Sequence, residues 1–213
     1  MAAKLPDGST VFIADTYSAS KAITAITNAV NPTASAVAHG LANGDFVEIT
    51  SGWGGVNGRV FMVENVTADT FKIMGVDTTL LTKYPAGAGK GSFRKVASQV
   101  QILQILDFST SGGEQQFTDF SYLEEDFARQ LPTITSAQSV TVGIADDPSL
   151  PGYQALKVAS YARTQTALFL KMRDGSVIAY NTIVSLNETP TTTKGQVMQV
   201  NATFSLQGRP VRY

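Results

Sequence analysis

An all-β fold with one flanking helix is predicted for this chain of 213 residues, and three patterns predict it. Short runs rich in β-branched and aromatic residues alternate with Gly, Asn and Asp, which is typical of strands joined by turns. Over residues 198–207, apolar and polar residues alternate strictly, which indicates a strand with one buried face. Only residues 151–164 carry apolar side chains at helical spacing. The fold class is therefore a β-sandwich or barrel.

The distribution of glycine predicts a second, inserted domain. Of the 18 glycines, 10 lie in residues 31–96. Strand-like runs within this segment are Phe46–Thr50, Arg59–Val66, Thr70–Ile73 and Ser92–Val96. Because no helical period persists there, the segment is expected to form a small β-barrel. We predict that it is inserted into one β-sandwich domain made of residues 1–30 and 97–213.

The remaining chain supplies the clearest single elements. In residues 198–207, one strand face is apolar and the other is polar; the polar set is Gln199, Asn201, Thr203 and Ser205. Residues 167–172 and 176–184 flank Asp174-Gly175, which predicts a hairpin because Asp-Gly readily adopts the positive φ of a tight turn. Pro151 suits the first turn of the one predicted helix.

The composition excludes several classes of function. Charged residues make up 15% of the chain and the formal net charge is −1. A surface with so little charge favours self-association and offers no basic field for tight binding of DNA or RNA. No cysteine is present, so disulfides and thiol chemistry are excluded. Neither a signal peptide nor a membrane-spanning segment is predicted.

No catalytic, cofactor or metal site is predicted. The single histidine, His39, lies in a turn-rich string, where an isolated imidazole more often fills a turn than acts as a base. The string GAGKGS at 87–92 lacks the Ser or Thr that must follow Lys in a phosphate-binding loop. Glu124, Glu125 and Asp126 could bind a hard cation, but adjacent carboxylates rarely converge and a solvated acidic surface is the better interpretation.

Residues 107–132 show neither a strand period nor a helix period, and we predict a long contact loop there. Long loops in compact domains usually bind something, and exposed aromatic residues are typical interface anchors. The aromatic and charged side chains proposed to make this contact are Phe108, Glu114, Phe117, Asp119, Phe120, Tyr122, Glu124, Glu125, Asp126, Phe127 and Arg129.

Trp53, the one tryptophan, lies in the string SGWGG. Two interpretations are open. An aromatic side chain in a glycine loop can stack on a sugar or insert into a partner, whereas a tryptophan that closes the core of the small domain has no ligand. The second is favoured because tryptophan is usually highly buried.

Four long strings resemble the major tail tube proteins of long-tailed, non-contractile, siphovirus-type bacteriophages, and the resemblance spans almost the whole chain. They are DGSTVFIADTYSASKAITAITNA (7–29), TSGGEQQFTDFSYLEEDFARQLPT (110–133), ADDPSLPGYQALK (145–157) and IVSLNETPTTTKGQVMQVNATFSLQGRPVRY (183–213). Residues 31–96 separately resemble a small β-barrel of phage structural proteins that is similar to the first catalytic-cysteine half-domain of ubiquitin-activating enzymes. The strings that carry this second resemblance are HGLANGDFVEITSG, NGRVFMVENVTADTFKI and GVDTTLLTKYPAGAGKGSF.

The first resemblance implies a structural protein with no enzymatic activity. It implies hexameric rings whose sheets close into a continuous inner barrel, stacked into a tube that conducts DNA into the host. The implied partners are further copies of the chain, a tape-measure protein, tail terminator and tail-tip proteins, and genomic DNA that passes without tight binding. The implied location is the virion, after assembly in the bacterial cytoplasm.

Within this scheme, residues 107–132 would contact the neighbouring ring, and Gln199, Asn201, Thr203 and Ser205 would face the lumen. Residues 31–96 would decorate the outside. Two other functions remain open: a surface-binding β module that uses Trp53 to contact a bacterial carbohydrate or receptor, and the related tube protein of a secretion system.

Overall fold

The computed structural model describes residues 7–213, and one helix and sixteen strands are assigned there. The first six residues of the predicted segment 1–30 lie outside this part. The elements are β1 (Thr10–Tyr17), β2 (Lys21–Ile23), β3 (Ala25–Ile26), β4 (Thr33–Ser35), β5 (Phe46–Ser51), β6 (Arg59–Glu64), β7 (Thr70–Ile73), β8 (Gly91–Ile102), β9 (Ile105–Gly112), β10 (Gln115–Phe120), β11 (Arg129–Thr135), β12 (Gln138–Ala145), α1 (Pro151–Ala162), β13 (Gln165–Lys171), β14 (Val177–Thr191), β15 (Gln199–Leu206) and β16 (Val211–Arg212). The all-β prediction with one helix is confirmed.

Most strands belong to one continuous antiparallel sheet, in the order β3-β4-β7-β6-β5-β8-β1-β13-β14-β15-β12-β9. The twelve-residue strand β8 joins its two regions. The first part of β8 pairs with β5 through Gly91–Lys95, and the remainder pairs with β1 through Val96–Ile102. We call the region built on β1, β9, β12–β16 and α1 the wall, and residues 31–96 the module.

The strands expected from alternation are present. Val200, Ala202 and Phe204 of β15 are fully or almost fully buried, and the polar residues between them are not. β13 and β14 form the predicted hairpin. Its turn has Gly175 at φ 85°, a conformation that glycine tolerates without strain.

Helix α1 begins at Pro151, as predicted, and places Tyr153, Leu156 and Ala159 in the wall core. It ends at Ala162, two residues short of the predicted end, because Arg163 takes a left-handed conformation and its amide bonds back to the Ala159 carbonyl. A left-handed residue cannot continue the helical hydrogen-bond ladder, so the helix stops there.

The module has a core of its own. Its largest buried side chains include Trp53, Phe61, Phe71 and Phe93. β2 pairs with β8 and β3 pairs with β4, so residues 21–26 join the module's strands although the predicted segment begins at 31. Where the module begins along the chain stays a prediction.

The C-terminal residues 208–213, which we call the clasp, contact both regions. Val211 pairs with Ala179 of the wall through its backbone, while its side chain lies in the module core. The Tyr213 hydroxyl accepts a hydrogen bond from the Met62 amide at 3.0 Å, in the module. The clasp therefore connects the last residues of the wall to the module through buried contacts.

Alkaline pH is expected to destabilise the fold through two buried tyrosines, Tyr213 of the clasp and Tyr17 of β1. Burial raises the pKa of Tyr17 and of Tyr213 to about 12. Because the folded-state pKa exceeds the unfolded value of about 10, the stabilisation is complete below pH 10 and is lost as pH rises towards 12, by about 2–3 kcal/mol per tyrosine. Chemical denaturation at about pH 9 and about pH 11.5 measures this loss. Tyr213→Phe should lose less stability between these two pH values than the unsubstituted chain does. An equal free energy of unfolding of the unsubstituted chain at both pH values would contradict the expectation.

Candidate functional site

Residues 107–132 are not a loop but part of a long hairpin. β9 pairs with β12, and beyond them β10 pairs with β11 as a separate two-stranded sheet. The strands were missed because almost all their side chains are exposed on both faces, so no apolar–polar alternation marks them. We call residues 115–135 the arm.

A glycine bend connects the arm to the wall. Gly112 and Gly113 have φ values of 75° and 84°. A Cβ at Gly112 would lie 2.0 Å from the Ala137 carbonyl oxygen, so a larger residue cannot occupy this position without moving the opposite strand. The arm therefore leaves the wall at a fixed point, between β9 and β12.

The arm exposes an unusual amount of apolar surface. Phe127 is 74% exposed and Phe117 56%. Tyr122, Leu123, Leu131 and Ile134 are exposed as well. Two of the predicted contact residues are less exposed. Phe108 is half-buried against the wall core, and Phe120 is half-buried with its ring edge-on to that of Tyr122, at a centroid distance of 5.8 Å. Large exposed apolar patches on soluble proteins mark interaction sites.

The segment 107–132, which overlaps most of the arm, is strongly acidic. Residues 107–132 contain six of the 17 acidic residues and one of the 16 basic ones, so their net charge is −5 and that of the remaining chain is +4. Glu125 forms an ion pair with Arg129, whose guanidinium lies 5.9 Å from the Tyr122 ring centroid. Gln130 donates a hydrogen bond of 3.0 Å to Asp119. The other predicted acidic residues, Glu114, Glu124 and Asp126, are exposed.

The four candidate lumen residues lie on one face of a four-stranded part of the wall, in the order β9-β12-β15-β14. Residues paired directly across neighbouring strands share a face. The register therefore groups Gln199, Asn201, Thr203 and Ser205 with the polar residues Ser109, Ser111, Ser139, Thr141, Ser185 and Asn187, and it places Ile183, opposite Ser205, on the same side. We call the ten polar residues the polar face. The other side of the same strands is the buried wall core.

The polar face holds no Lys or Arg, and its side chains bond to one another. Gln199 donates to the Asn201 side chain at 2.9 Å, and the Ser111 and Ser139 hydroxyls are 2.9 Å apart. A Cβ at Gly143 would lie 2.0 Å from the Gln199 amide nitrogen. Glycine at this position therefore leaves room for the Gln199 side chain to lie over the neighbouring strand β12. Sequence reasoning found only the β15 members. The alternation Ser139, Val140, Thr141, Val142 was a signal for the β12 members.

The other candidates have structural roles. Trp53 is 1% exposed and donates a hydrogen bond from Nε1 to the Pro85 carbonyl at 2.9 Å, so it presents no stacking surface and the core interpretation holds. His39 is buried, and its Nδ1 accepts a hydrogen bond from the Leu41 amide at 3.1 Å.

In the part of the chain that the structure describes, neither a candidate metal centre nor a membrane-spanning helix is found. Within residues 7–213, no three His, Asp or Glu side chains are grouped so that they could hold a metal ion. No helix in the described chain is both long and apolar enough to cross a membrane. A cleft of about 460 Å³ beside α1 includes Tyr17 and Arg94, but Arg94 is engaged in an ion pair with Glu48 at 2.7 Å.

Comparisons with known proteins give one family. Residues 51–213 match a family model described as phage tail tube protein, TTP. No curated protein matches the chain. Among solved structures, a chain of the anti-feeding prophage baseplate, determined by cryo-EM with six-fold symmetrisation, aligns with a TM-score of 0.37 and 7% identity over 81% of this chain and 94% of that one. At that score the likeness does not establish a shared fold.

Proposed function

This chain belongs to the phage tail tube protein family, and we propose that its copies close into hexameric rings that stack into the conduit for DNA ejection. Proteins of this family are structural rather than enzymatic, and they assemble into a tube within the virion together with other tail components. We further propose a siphovirus-type tail, assembled in the bacterial cytoplasm. Its other components would be tape-measure, terminator and tail-tip proteins.

The polar face is the observation on which the proposal chiefly depends, and we place it along the bore. DNA carries a phosphate charge on every nucleotide, and Lys or Arg in the bore would hold it. The ten residues of the polar face are hydroxyl and amide side chains. They can be hydrated without attracting phosphate, so DNA can pass without tight binding. Asp107, opposite Gly143 on the same side, adds repulsion rather than attraction.

The free edge of β9 supports closure into a ring. β9 is the last strand of the main sheet, and in residues 7–213 no strand pairs with its outer edge. Its eight residues contain neither Lys nor Pro, the residues that usually protect a strand edge from pairing with another chain. Pairing of this edge with the sheet of a neighbouring copy would extend the polar face from one copy to the next.

The arm and the module would have separate roles. The arm would contact the neighbouring ring through its exposed aromatic side chains, with its carboxylates setting the register. The module, whose likeness to the ubiquitin-activating half-domain remains part of the proposal, would decorate the outside of the wall. Because Trp53 is buried, a surface-binding role for the module has no exposed tryptophan on which to depend.

Labelling of single cysteines tests the position of the polar face, since the chain has no cysteine of its own. Thr203→Cys lies in the middle of the polar face, and Val37→Cys is the matched control because Val37, in the module, is 76% exposed. In the unassembled protein both should react with a small maleimide and with one attached to a large protein. In tubes, Thr203→Cys should still react with the small reagent and lose reaction with the large one.

The control should react with both reagents in tubes. Equal reaction of Thr203→Cys with the large reagent before and after assembly would place the polar face on the outer wall and contradict the proposal.

A further inference from the structure

Two neighbouring leucines of the module are exposed to solvent. Leu80 is 59% exposed and Leu81 is 56% exposed. They lie in the connection between β7 and β8, and we call residues 78–91 the tip loop. A β-bridge between Val30 and Asp77 places Val30, which is 64% exposed, beside the start of this loop. Neighbouring exposed apolar side chains on a soluble protein mark a surface that another molecule covers.

The tip loop is fixed on both sides of the two leucines. The Asn28 side-chain amide donates hydrogen bonds to the Thr78 carbonyl at 2.9 Å and to the Tyr84 carbonyl at 2.8 Å. Thr78 is fully buried, and the buried Tyr84 ring lies edge-on to that of Trp53, at a centroid distance of 5.4 Å. The turn between these anchors therefore holds the leucines in solvent, so little further ordering is needed when they bind a partner.

The tip loop carries positive charge. Residues 78–91 contain Lys83 and Lys90 and no Asp or Glu, so their net charge is +2. Both lysines are exposed, and within the described chain neither forms an ion pair. The carboxylate of Asp77, just before the loop, accepts hydrogen bonds from the Thr79 amide at 2.9 Å and hydroxyl at 2.7 Å. The surface therefore offers two ammonium groups without a carboxylate partner beside aliphatic side chains.

We propose that the tip loop docks on an anionic lipid surface, with its leucines among the acyl chains and its lysines at the headgroup phosphates. Binding at a lipid interface needs buried apolar area and attraction to anionic headgroups, and the loop supplies both. A protein partner fits less well, because leucine is under-represented among the residues that dominate protein interfaces. A sugar would need an exposed ring on which to stack, and the rings of Trp53 and Tyr84 are buried.

Assembly would strengthen a weak contact. One copy offers two leucines and two lysines, so its binding should be weak and reversible, as it is for a single lipid anchor. If the modules decorate the outside of the proposed tube, many copies of the loop face the same surface and bind together by multivalency. The lipid contact itself is a property of the single chain and does not depend on the proposed tube.

Flotation of the unassembled chain with lipid vesicles tests the proposal, because polymers sink while vesicles and bound protein rise. One set of vesicles contains phosphatidylcholine alone, and the other contains phosphatidylcholine and phosphatidylglycerol in equal amounts. We expect binding to the anionic vesicles to be about 10-fold tighter or more at low salt, since each lysine is attracted to the anionic surface. This preference should be lost at about 0.5 M salt, because salt screens exposed charges.

Substitutions assign the binding to the tip loop. Leu80→Ser combined with Leu81→Ser removes the apolar part, and Lys83→Glu reverses one charge. Each should weaken binding to the anionic vesicles by about 10-fold or more. All three positions are exposed, so the fold should be retained, and thermal unfolding checks this. Val37→Ser is the matched control, since Val37 is an exposed aliphatic residue of the module outside the loop; it should bind as the unsubstituted chain does.

Three results would overturn the proposal. The unsubstituted chain could fail to float with either kind of vesicle, or it could float equally with both. The leucine variant could float as well as the unsubstituted chain, which would place the lipid contact elsewhere. The leucine variant could also need a higher concentration to polymerise while floating normally, which would show that another copy covers the loop. Because the vesicle test uses single chains, its failure would leave the proposed tube standing.

Discussion

Phe127→Ala is expected to raise the concentration needed for polymerisation by about 30-fold or more without changing the stability of the folded chain. Truncation of an aromatic anchor at the centre of an interface typically costs about 2 kcal/mol or more, which corresponds to about a 30-fold change in affinity. Phe127 is 74% exposed in the single chain, so its removal leaves the core untouched and should change the free energy of unfolding by less than about 0.5 kcal/mol.

Sedimentation of polymer across a concentration series, with thermal unfolding of the same preparations, measures both effects. Val37→Ala is the matched control because Val37 is 76% exposed and lies in the module. It should assemble as the unsubstituted chain does. If Phe127→Ala polymerised at the same concentration as the unsubstituted chain, the tip of the arm would lie outside the contact between copies.

Tyr213→Ala is expected to lower the free energy of unfolding by about 3 kcal/mol, the usual order for removing a large aromatic ring from a core. The Tyr213 ring packs with Phe46 at a centroid distance of 5.9 Å. Its hydroxyl accepts from the Met62 amide at 3.0 Å and bonds to the Met74 carbonyl at 3.3 Å. The substitution removes ring packing and both hydrogen bonds at the junction of wall and module.

Tyr213→Phe separates these contributions. It keeps the ring and loses the hydroxyl, so it should cost only about 1–2 kcal/mol, mainly from the unpaired Met62 amide. Denaturant unfolding gives the free energies, and limited proteolysis within residues 31–96 reports whether the module is loosened. If Tyr213→Ala unfolded at the same midpoint denaturant concentration as the unsubstituted chain, the clasp would not stabilise the module.

The apolar contact between module and wall also bears on the decorating role proposed for the module. Val60 and Phe46 of the module cover Phe169 and Ala179 of the wall. Phe46 and Phe169 have ring centroids 4.7 Å apart. Deleting the whole module would expose this apolar surface and could disturb the wall for reasons unrelated to decoration. Substitutions of exposed module residues such as Val37 are therefore the cleaner test of whether the module is needed for assembly.

The sequence predicted those elements in which one face is buried. β15, the β13–β14 hairpin and α1 follow this rule, because burial of a single face forces a period of two or of about 3.6 residues. The arm does not follow it, since its apolar residues lie on both faces. Its strands could be recognised only from their pairing.

Long-range pairing also limited the prediction of the candidate site. Thr203 was assigned to a polar strand face from local alternation, but its neighbours Thr141 and Ser185 are far away in sequence and meet it only through the register of β12 and β14. The clasp was missed for the same reason: Gly208–Tyr213 has no pattern of its own, and Val211 gains its role from contact with Gly75, 136 positions earlier in the numbering.

Electron microscopy of the purified full chain, followed by helical reconstruction, tests the central claim most directly. Hexameric rings stacked into tubes, with the Thr203 and Asn201 side chains at the bore, are the expected result. A chain that stays monomeric at every concentration, or tubes whose bore is lined by another surface, would contradict it.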